Sequence, residues 1–406
     1  MATQTERLGR SRTRQTRTRA SVTRLRPSHP AVLLSIVTGS LVLLGLIMVL
    51  SASSVTSFAQ YGSSFSVFNK QLVWTVLGVA GFVLFARLDY HRLRGFGYVL
   101  MAVSMLMLFA VLVPGIGVTV GGSARWLAFG PLSVQPSEIT KLALILFAAD
   151  VFSRKDERSF DSFSHTVLPM LPVLVIVAGL IMLQPDLGTT VIVGSLGLGM
   201  LFIAGAPLAY LFPLATSGSV IALTAALIEP YRRDRILSFL HPWRTPLTTG
   251  YQTIQSLIAM GTGGWVGVGL GASRQKWSFV PNAHTDFIFA ILGEEMGLLG
   301  SLVVLGTFAF IAYLGIKVAR SAPDRFGMLT AAGITIWLVV QALVNMGAVT
   351  GAMPITGVPL PLVSFGGTSL VISLVGMGIL VSIARQARIA APARSRRRAA
   401  RPAGGR

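Results

Sequence analysis

Ala31–Leu50 is a run of 20 residues without a single charge, and comparable apolar runs return along the rest of the chain. About 20 apolar residues wound as a helix cross the hydrocarbon core of a bilayer. Within that core every backbone N–H and C=O must find its partner inside the helix, because lipid offers none. The bulk composition agrees: 53% of the 406 residues are hydrophobic and 12% are charged, against about 25% charged in soluble domains. The chain is therefore expected to be an all-α, polytopic membrane protein. Ala31–Leu50 follows a basic stretch and precedes Ser51-Ala52-Ser53, as a cleaved signal would, but signal cores run only about 7–15 residues. It is read as an uncleaved first span.

About ten spans fit the pattern: 31–51, 68–86, 95–113, 137–152, 167–183, 189–204, 208–228, 286–316, 328–348 and 369–384. An even number places both termini on one side. Residues 1–30 carry eight arginines against one glutamate, and 384–406 carry eight arginines and no acid. Cytoplasmic segments near membrane spans are enriched in Lys and Arg, so both tails are assigned to the cytoplasm. The loops Arg87–Arg94, Arg154–Arg158 and Lys317–Arg325 each hold three basic residues and fall on the same side. The chain thus divides into a basic, disordered tail (1–30), a transmembrane domain (31–386) and a second basic, disordered tail (387–406). The tails lack any hydrophobic period. They suit anionic lipid rather than nucleic acid, since no aromatics interrupt the arginines to stack on bases. Cysteine is absent, which excludes disulfides and thiol chemistry.

One large segment, 229–285, departs from the charge rule. It lies between the seventh and eighth spans, on the extracytoplasmic side, yet carries Arg232, Arg233, Arg235, Arg244, Arg274 and Lys276. Long translocated loops tolerate charge, so a solvated face explains it. The other reading is a pocket for an anionic lipid head group. Within it, Tyr251–Leu270 is apolar and glycine-rich and is expected to re-enter the outer interface as a broken helix.

The polar residues gather in segments that this topology sends outward. Pro281–Glu295, PNAHTDFIFAILGEE, places His284, Thr285 and Asp286 at the mouth of the eighth span. Thr285 or Asp286 suits an N-cap. Asp286 equally suits a partly desolvated carboxylate whose pKa rises into the range of a general base, with His284 tuning it or binding substrate. Glu294 and Glu295 lie further in. At roughly 100° per residue they sit about 80° and 180° from the face of Asp286, so they are expected to serve different sites and to pair with a basic residue on a neighbouring helix. Gly121–Lys141 supplies Arg125, Glu138 and Lys141; capping accounts for Glu138 but not for the two cations. Gln184–Thr189, QPDLGT, reads as a turn and cap at Asp186, and Met353–Ser369 as a proline-braced wall. No nucleotide-binding loop, serine triad or clustered metal ligands appear.

Six stretches stand in order: SARW (123–126), QPSEITK (135–141), QPDLGT (184–189), GYQTIQS (250–256), PNAHTDFIFAILGEE (281–295) and PLPLVSFGG (359–367). Together they resemble the SEDS family of shape, elongation, division and sporulation proteins, over about 31–386. The resemblance implies a peptidoglycan glycosyltransferase that polymerises lipid II, an undecaprenyl-diphosphate disaccharide, at the outer face of the bacterial cytoplasmic membrane. By position it makes Asp286 the catalytic aspartate. It matches Arg125 and Lys141 to functionally important basic positions; together with Glu138, His284, Thr285, Lys276, Arg244 and Gln252 they are expected to bind substrate. Gly121, Ala124, Asn282, Leu362 and Phe365 depart from the commoner family residues. Partners implied are a class B penicillin-binding protein (the transpeptidase) and other membrane proteins of the division or elongation machinery. The pattern leans to the division members. No resident cofactor is implied, and a magnesium or manganese ion is compatible with the diphosphate. The competing reading is a lipid II flippase, which should carry ionisable groups near the midplane on paired repeats; no such repeat is evident.

Overall fold

The computed structural model describes residues 30–120, 123–130, 132–155, 162–277 and 279–399. The N-terminal tail and residues 400–406 lie outside it, so the expectation of disorder for 1–29 is not addressed. In chain order the helices are α1 (Pro30–Tyr61), α2 (Ser66–Arg87), α3 (Phe96–Leu112), α4 (Pro136–Ser153), α5 (Phe163–Thr166), α6 (Leu171–Leu183), α7 (Leu187–Ala204), α8 (Leu208–Ile228), α9 (Pro230–Leu240), α10 (Tyr251–Gly263), α11 (Ile288–Ser321), α12 (Arg325–Val349) and α13 (Gly367–Ala399). Seven of these are long and apolar enough to span a membrane, and α3 and α6 are shorter apolar helices. The remaining expected span is α4, which carries Glu138, Lys141 and Asp150 and buries all three.

Two boundaries move outward for local reasons. The first span continues past Ser51 to Tyr61 because Ser54 and Thr56 turn their hydroxyls onto the carbonyls of Ser51 and Ser53, absorbing the polar side chains into the helix. The last helix passes Gln386 and reaches Ala399, while the rest of the 387–406 tail, from 400, lies outside the described residues. Alanine and arginine, abundant there, are strong helix formers.

The all-α expectation also missed a small sheet. β1 (Gly117–Val120), β2 (Ser123–Phe129) and β3 (Leu132–Val134) form an antiparallel meander between α3 and α4. Trp126 lies opposite Val118, and Leu127 opposite Val134. Strands this short leave no period long enough to read among glycines.

Packing centres on α4, α12 and α13, with Trp337, Phe308 and Phe326 among the fully buried side chains. By contrast α8 buries only Leu211 and Ala226 and presents Phe212, Ile221 and Ile228 outward, as a lipid-facing helix does. Alternate connections meet at opposite ends of this bundle. At one end Tyr90 donates its hydroxyl to Asp324, Arg94 and Arg154 grip the buried Asp150 at 3.3 and 2.7 Å, and Arg325 donates to the carbonyls of Lys155 and Ala204. There Ser382, Arg385 and Gln386 fasten α13 to Leu88, Ala86 and Asp89. At the other end lie the sheet, the α6–α7 turn, the α8–α11 segment and the α12–α13 loop. Gln135 N–H donates to Thr368 Oγ1 at 3.1 Å and Phe365 N–H to the His284 carbonyl at 2.9 Å.

The long α11 is interrupted at Gly297, whose φ of 68° and ψ of −167° are open to glycine alone. The break frees the carbonyls of Glu294 and Glu295, which accept from Val268 and Gly269 N–H at 3.0 and 3.1 Å. Leu298 and Leu299 N–H, displaced from those carbonyls, donate to Gly264 and Trp265 at 2.9 and 3.1 Å. Residues 264–269 thus replace the lost helical bonds one for one, as irregular backbone at membrane depth requires. The two glutamates correct the expectation made for them. Both serve one segment, 273–276, and the nearest cation, Lys276, belongs to that segment rather than to a neighbouring helix.

Candidate active site

Asp286 stands at the mouth of α11 in a turn built by Asn282, whose φ is 55°. Thr285 spends both its N–H and its hydroxyl on the Asn282 carbonyl, at 3.0 and 3.1 Å. The helix starts after Phe287 with no side-chain cap, so neither Thr285 nor Asp286 caps it. Asp286 is fixed instead through its main chain. The buried Asn345 of α12 donates from Nδ2 to the Asp286 carbonyl at 2.8 Å and to the Val358 carbonyl at 2.7 Å. No described residue hydrogen-bonds the Asp286 carboxylate. It faces the α12–α13 loop, where a Cβ added to Gly357 would stand 3.6 Å from Oδ2.

Burial pushes the Asp286 carboxyl up to about 6; Arg235 and Arg125 pull it back down, while Asp186 adds to the rise. Desolvation outweighs two guanidinium groups, which places the acid where it is ionised at neutral pH yet basic enough to accept a proton. Arg125 reaches this point from β2. It donates from Nε to the Gln184 carbonyl at 3.2 Å and from Nη2 to the Pro185 carbonyl at 2.5 Å, and lies 3.8 Å from Asp186. Asp186 caps α7 through Thr189 N–H and hydroxyl, at 3.0 and 2.9 Å. Its expected capping role is therefore observed, together with a second role as Arg125's counter-charge. His284 stacks edge-on against Phe365 with ring centres 5.4 Å apart, and burial lowers its pKa, which keeps it neutral.

The other residues expected to bind substrate lie elsewhere. Lys141 and Glu138 are sealed inside the bundle: Lys141 Nζ is 2.7 Å from Glu138 Oε1 and 2.7 Å from Gln341 Oε1, and 5.3 Å from the Trp337 ring centre. A charge below the surface needs a partner, and Glu138 supplies it for Lys141. Lys276 is buried, donating to the Gly271 carbonyl at 2.5 Å. Arg244 ends a short 3-10 turn (Pro242–Arg244) and is exposed on the surface. Gln252 opens α10 and donates to the Pro281 carbonyl at 3.4 Å, tethering the approach to Asp286.

Three residues outside the expected set matter. Arg235 of α9 acts on Asp286 by charge; it had been counted only as part of a basic loop. Asn345 and Gln341 are consecutive-turn polar residues of an apolar span, a pattern that signals interhelical hydrogen bonding. Gln341 Nε2 donates to the Pro359 carbonyl at 3.0 Å, beside the Val358 carbonyl that Asn345 holds. Lys141 and Asp286 are therefore linked through the Val358–Pro359 backbone, which Gln341 joins to Lys141 and Asn345 joins to Asp286. Among the described residues no three acidic or histidine side chains converge. A divalent ion here would meet one uncommitted carboxylate, Asp286, so the residues fit an ion only if a substrate diphosphate supplies the rest.

Similarity to known proteins spans nearly all of this structure. Residues 31–389 match the FtsW/RodA/SpoVE family, described as cell cycle proteins. The chain is 41% identical over 362 residues to stage V sporulation protein E of Bacillus subtilis, covering 89% of this chain and 98% of that one. It is 40% identical to the probable peptidoglycan glycosyltransferase FtsW of Mycobacterium tuberculosis, covering 89% of this chain and 68% of the relative. Among solved structures it superposes with a TM-score of 0.71 and 29% identity on a chain of a peptidoglycan synthase complex, covering 87% and 97%. The rod shape determining protein RodA of Thermus thermophilus gives 0.63 and 28%, covering 87% and 96%. A shared fold and a match of such length lead to one assignment: this chain belongs to the FtsW/RodA/SpoVE family.

Proposed function

We propose that Asp286 is the general base of a peptidoglycan glycosyltransferase that joins lipid II into β-1,4-linked glycan strands. The observation that carries this is an uncommitted, desolvated carboxylate that feels the charge of Arg125 and Arg235 and is clamped only by its backbone. The acceptor sugar hydroxyl gives its proton to Asp286 as its oxygen attacks the donor's anomeric carbon. The bond from that carbon to the diphosphate breaks, and its electron pair leaves on the diphosphate. One displacement inverts the centre, so no second nucleophilic carboxylate is required. Arg125 and Arg235 supply fixed positive charge for the departing oxygens. The bundle end carrying Asp286 faces outward, both termini face the cytoplasm, and the arginine-rich tails lie against anionic lipid. The division role fits better than elongation, with a class B penicillin-binding protein as transpeptidase.

The purified protein, alone and with such a partner, is expected to convert labelled lipid II into polymer resolved on a gel. Lipid II crossing a vesicle bilayer without polymer would instead support a flippase. The rate should rise with pH through about 6, because the base works ionised and its carboxyl is raised. Below that point it falls about tenfold per unit, as for one titrating group; a pH–rate profile flat from 5 to 8 excludes Asp286 as base. Arg125→Ala should slow turnover by about a hundredfold. Arg125→Lys should rescue little, because one ammonium cannot reproduce the fork that spans the Gln184 and Pro185 carbonyls.

A further inference from the structure

The mechanism leaves Glu294 and Glu295 unused, although both are buried and charged groups in such places are costly unless well paired. All but one of their side-chain hydrogen bonds run to one segment, 273–275. Glu294 accepts from the Ser273 hydroxyl, from Arg274 N–H at 3.0 Å and from Gln275 N–H at 3.4 Å. Glu295 accepts from Ser273 N–H at 3.4 Å and from the Ser51 hydroxyl of α1 at 2.5 Å, with Lys276 Nζ at 3.9 Å. Just upstream, residues 264–269 are bonded to α11 across the Gly297 break. Just downstream, Val280 N–H donates to the Gln275 carbonyl at 3.0 Å, and the chain turns at Asn282 into Asp286. The excursion from α10 to α11 is therefore a closed ring. The catalytic aspartate sits at its outlet and the two glutamates form its clasp.

We propose that Glu294 and Glu295 are positioning residues for Asp286, fastening segment 273–276 to the first half of α11 so that the base is presented on one rigid piece. This rests on the assignment of Asp286 as base. The choice of glutamate follows from the donors. An ionised carboxylate is an acceptor only, and Glu294 faces three donors, two of them backbone N–H groups. A glutamine would turn its own N–H2 toward one of them. Charge-assisted bonds of this kind are about twice as strong as neutral ones. Ser51 extends the clasp to α1, so the piece is referenced to the bundle as well as to itself.

The test compares wild type, Glu294→Gln, Glu294→Ala, Glu295→Gln and Asp286→Asn in lipid nanodiscs. The measurements are kcat and KM for labelled lipid II, the pH of half-maximal rate, and trypsin cleavage after Arg274 and Lys276. For Glu294→Gln we expect kcat to fall about ten- to a hundredfold, the range that a small misplacement of a catalytic group produces. KM should stay within about twofold, since the clasp does not touch substrate. Cleavage after Arg274 should quicken. The half-maximal pH should move down from about 6, because a loosened ring readmits the water whose exclusion raises the Asp286 carboxyl. Glu294→Ala should exceed Glu294→Gln in each effect. Wild-type kcat with accelerated cleavage overturns the proposal, as does a lower kcat with an unmoved pH midpoint. If wild type makes no polymer, or Asp286→Asn makes as much as wild type, the assignment of the base falls and this proposal with it. A failure confined to the glutamate variants removes this one alone.

Discussion

Asp286→Asn should leave a folded, substrate-binding protein whose polymerisation of lipid II is slower by about 10²- to 10⁴-fold, the usual contribution of a positioned general base. The size of the loss comes from chemistry: an amide cannot take the acceptor hydroxyl's proton near neutral pH. The expectation of intact folding comes from structure. The Asp286 carboxylate makes no hydrogen bond to a described residue, and the Asn345 bond goes to its main-chain carbonyl, which the substitution keeps. The raised carboxyl also fixes a sign. Because folding lifts it from the ordinary 3.8 to about 6, ionisation costs the folded state, and stability from this group declines as pH rises between those values. A neutral asparagine removes that cost, so the variant should melt no lower than wild type at pH 7. Measured side by side, unchanged melting with lost polymer supports the assignment. Undiminished polymer would end it.

Lys141→Met should produce the largest loss of stability, because it leaves Glu138 as a buried charge without its cation. Breaking a buried pair from one side costs about 3–5 kcal/mol. Gln341 Oε1 would keep only the indole N–H of Trp337, at 2.8 Å. Pairing Lys141→Met with Glu138→Leu should recover most of the melting temperature, since removing both partners spares the uncompensated charge. The comparison separates two roles for Lys141. If the single variant melts like wild type but loses activity, the lysine meets substrate and its sealed, structural role is wrong. The link through Gln341, the Val358–Pro359 backbone and Asn345 predicts that activity falls along with melting temperature.

How much of this was legible in the residues alone differed by kind of feature. Apart from the C-terminal ends of the first and last helices, spans set by long apolar runs were placed within about five residues, because hydrocarbon thickness fixes their length. Asp286 stood out as an acid at the edge of such a run, and Arg125 as a cation that no cap required. Burial depth, by contrast, is not written in sequence spacing. Lys141 follows Ser137 by one turn and seemed within reach of the surface, yet α12 packs against it through Gln341 and Trp337. Arg235 was one of six basic residues in a long loop, and only the fold of α9 singles it out. The glutamates were misassigned by a helical-wheel argument that ignored the segment wrapping around α11. A ring of chain can meet faces that a straight neighbour cannot.

A polymerase must repeat its step many times, and under the proposed assignment every addition leaves a hydrogen ion on Asp286. Asp286 is anchored by its carbonyl and not by its carboxyl, so its side chain can deliver that ion to water between cycles while the backbone stays put. A carboxyl that titrates near 6 discharges spontaneously at neutral pH, without a relay of further acids. Resetting the enzyme is thereby separated from holding its shape.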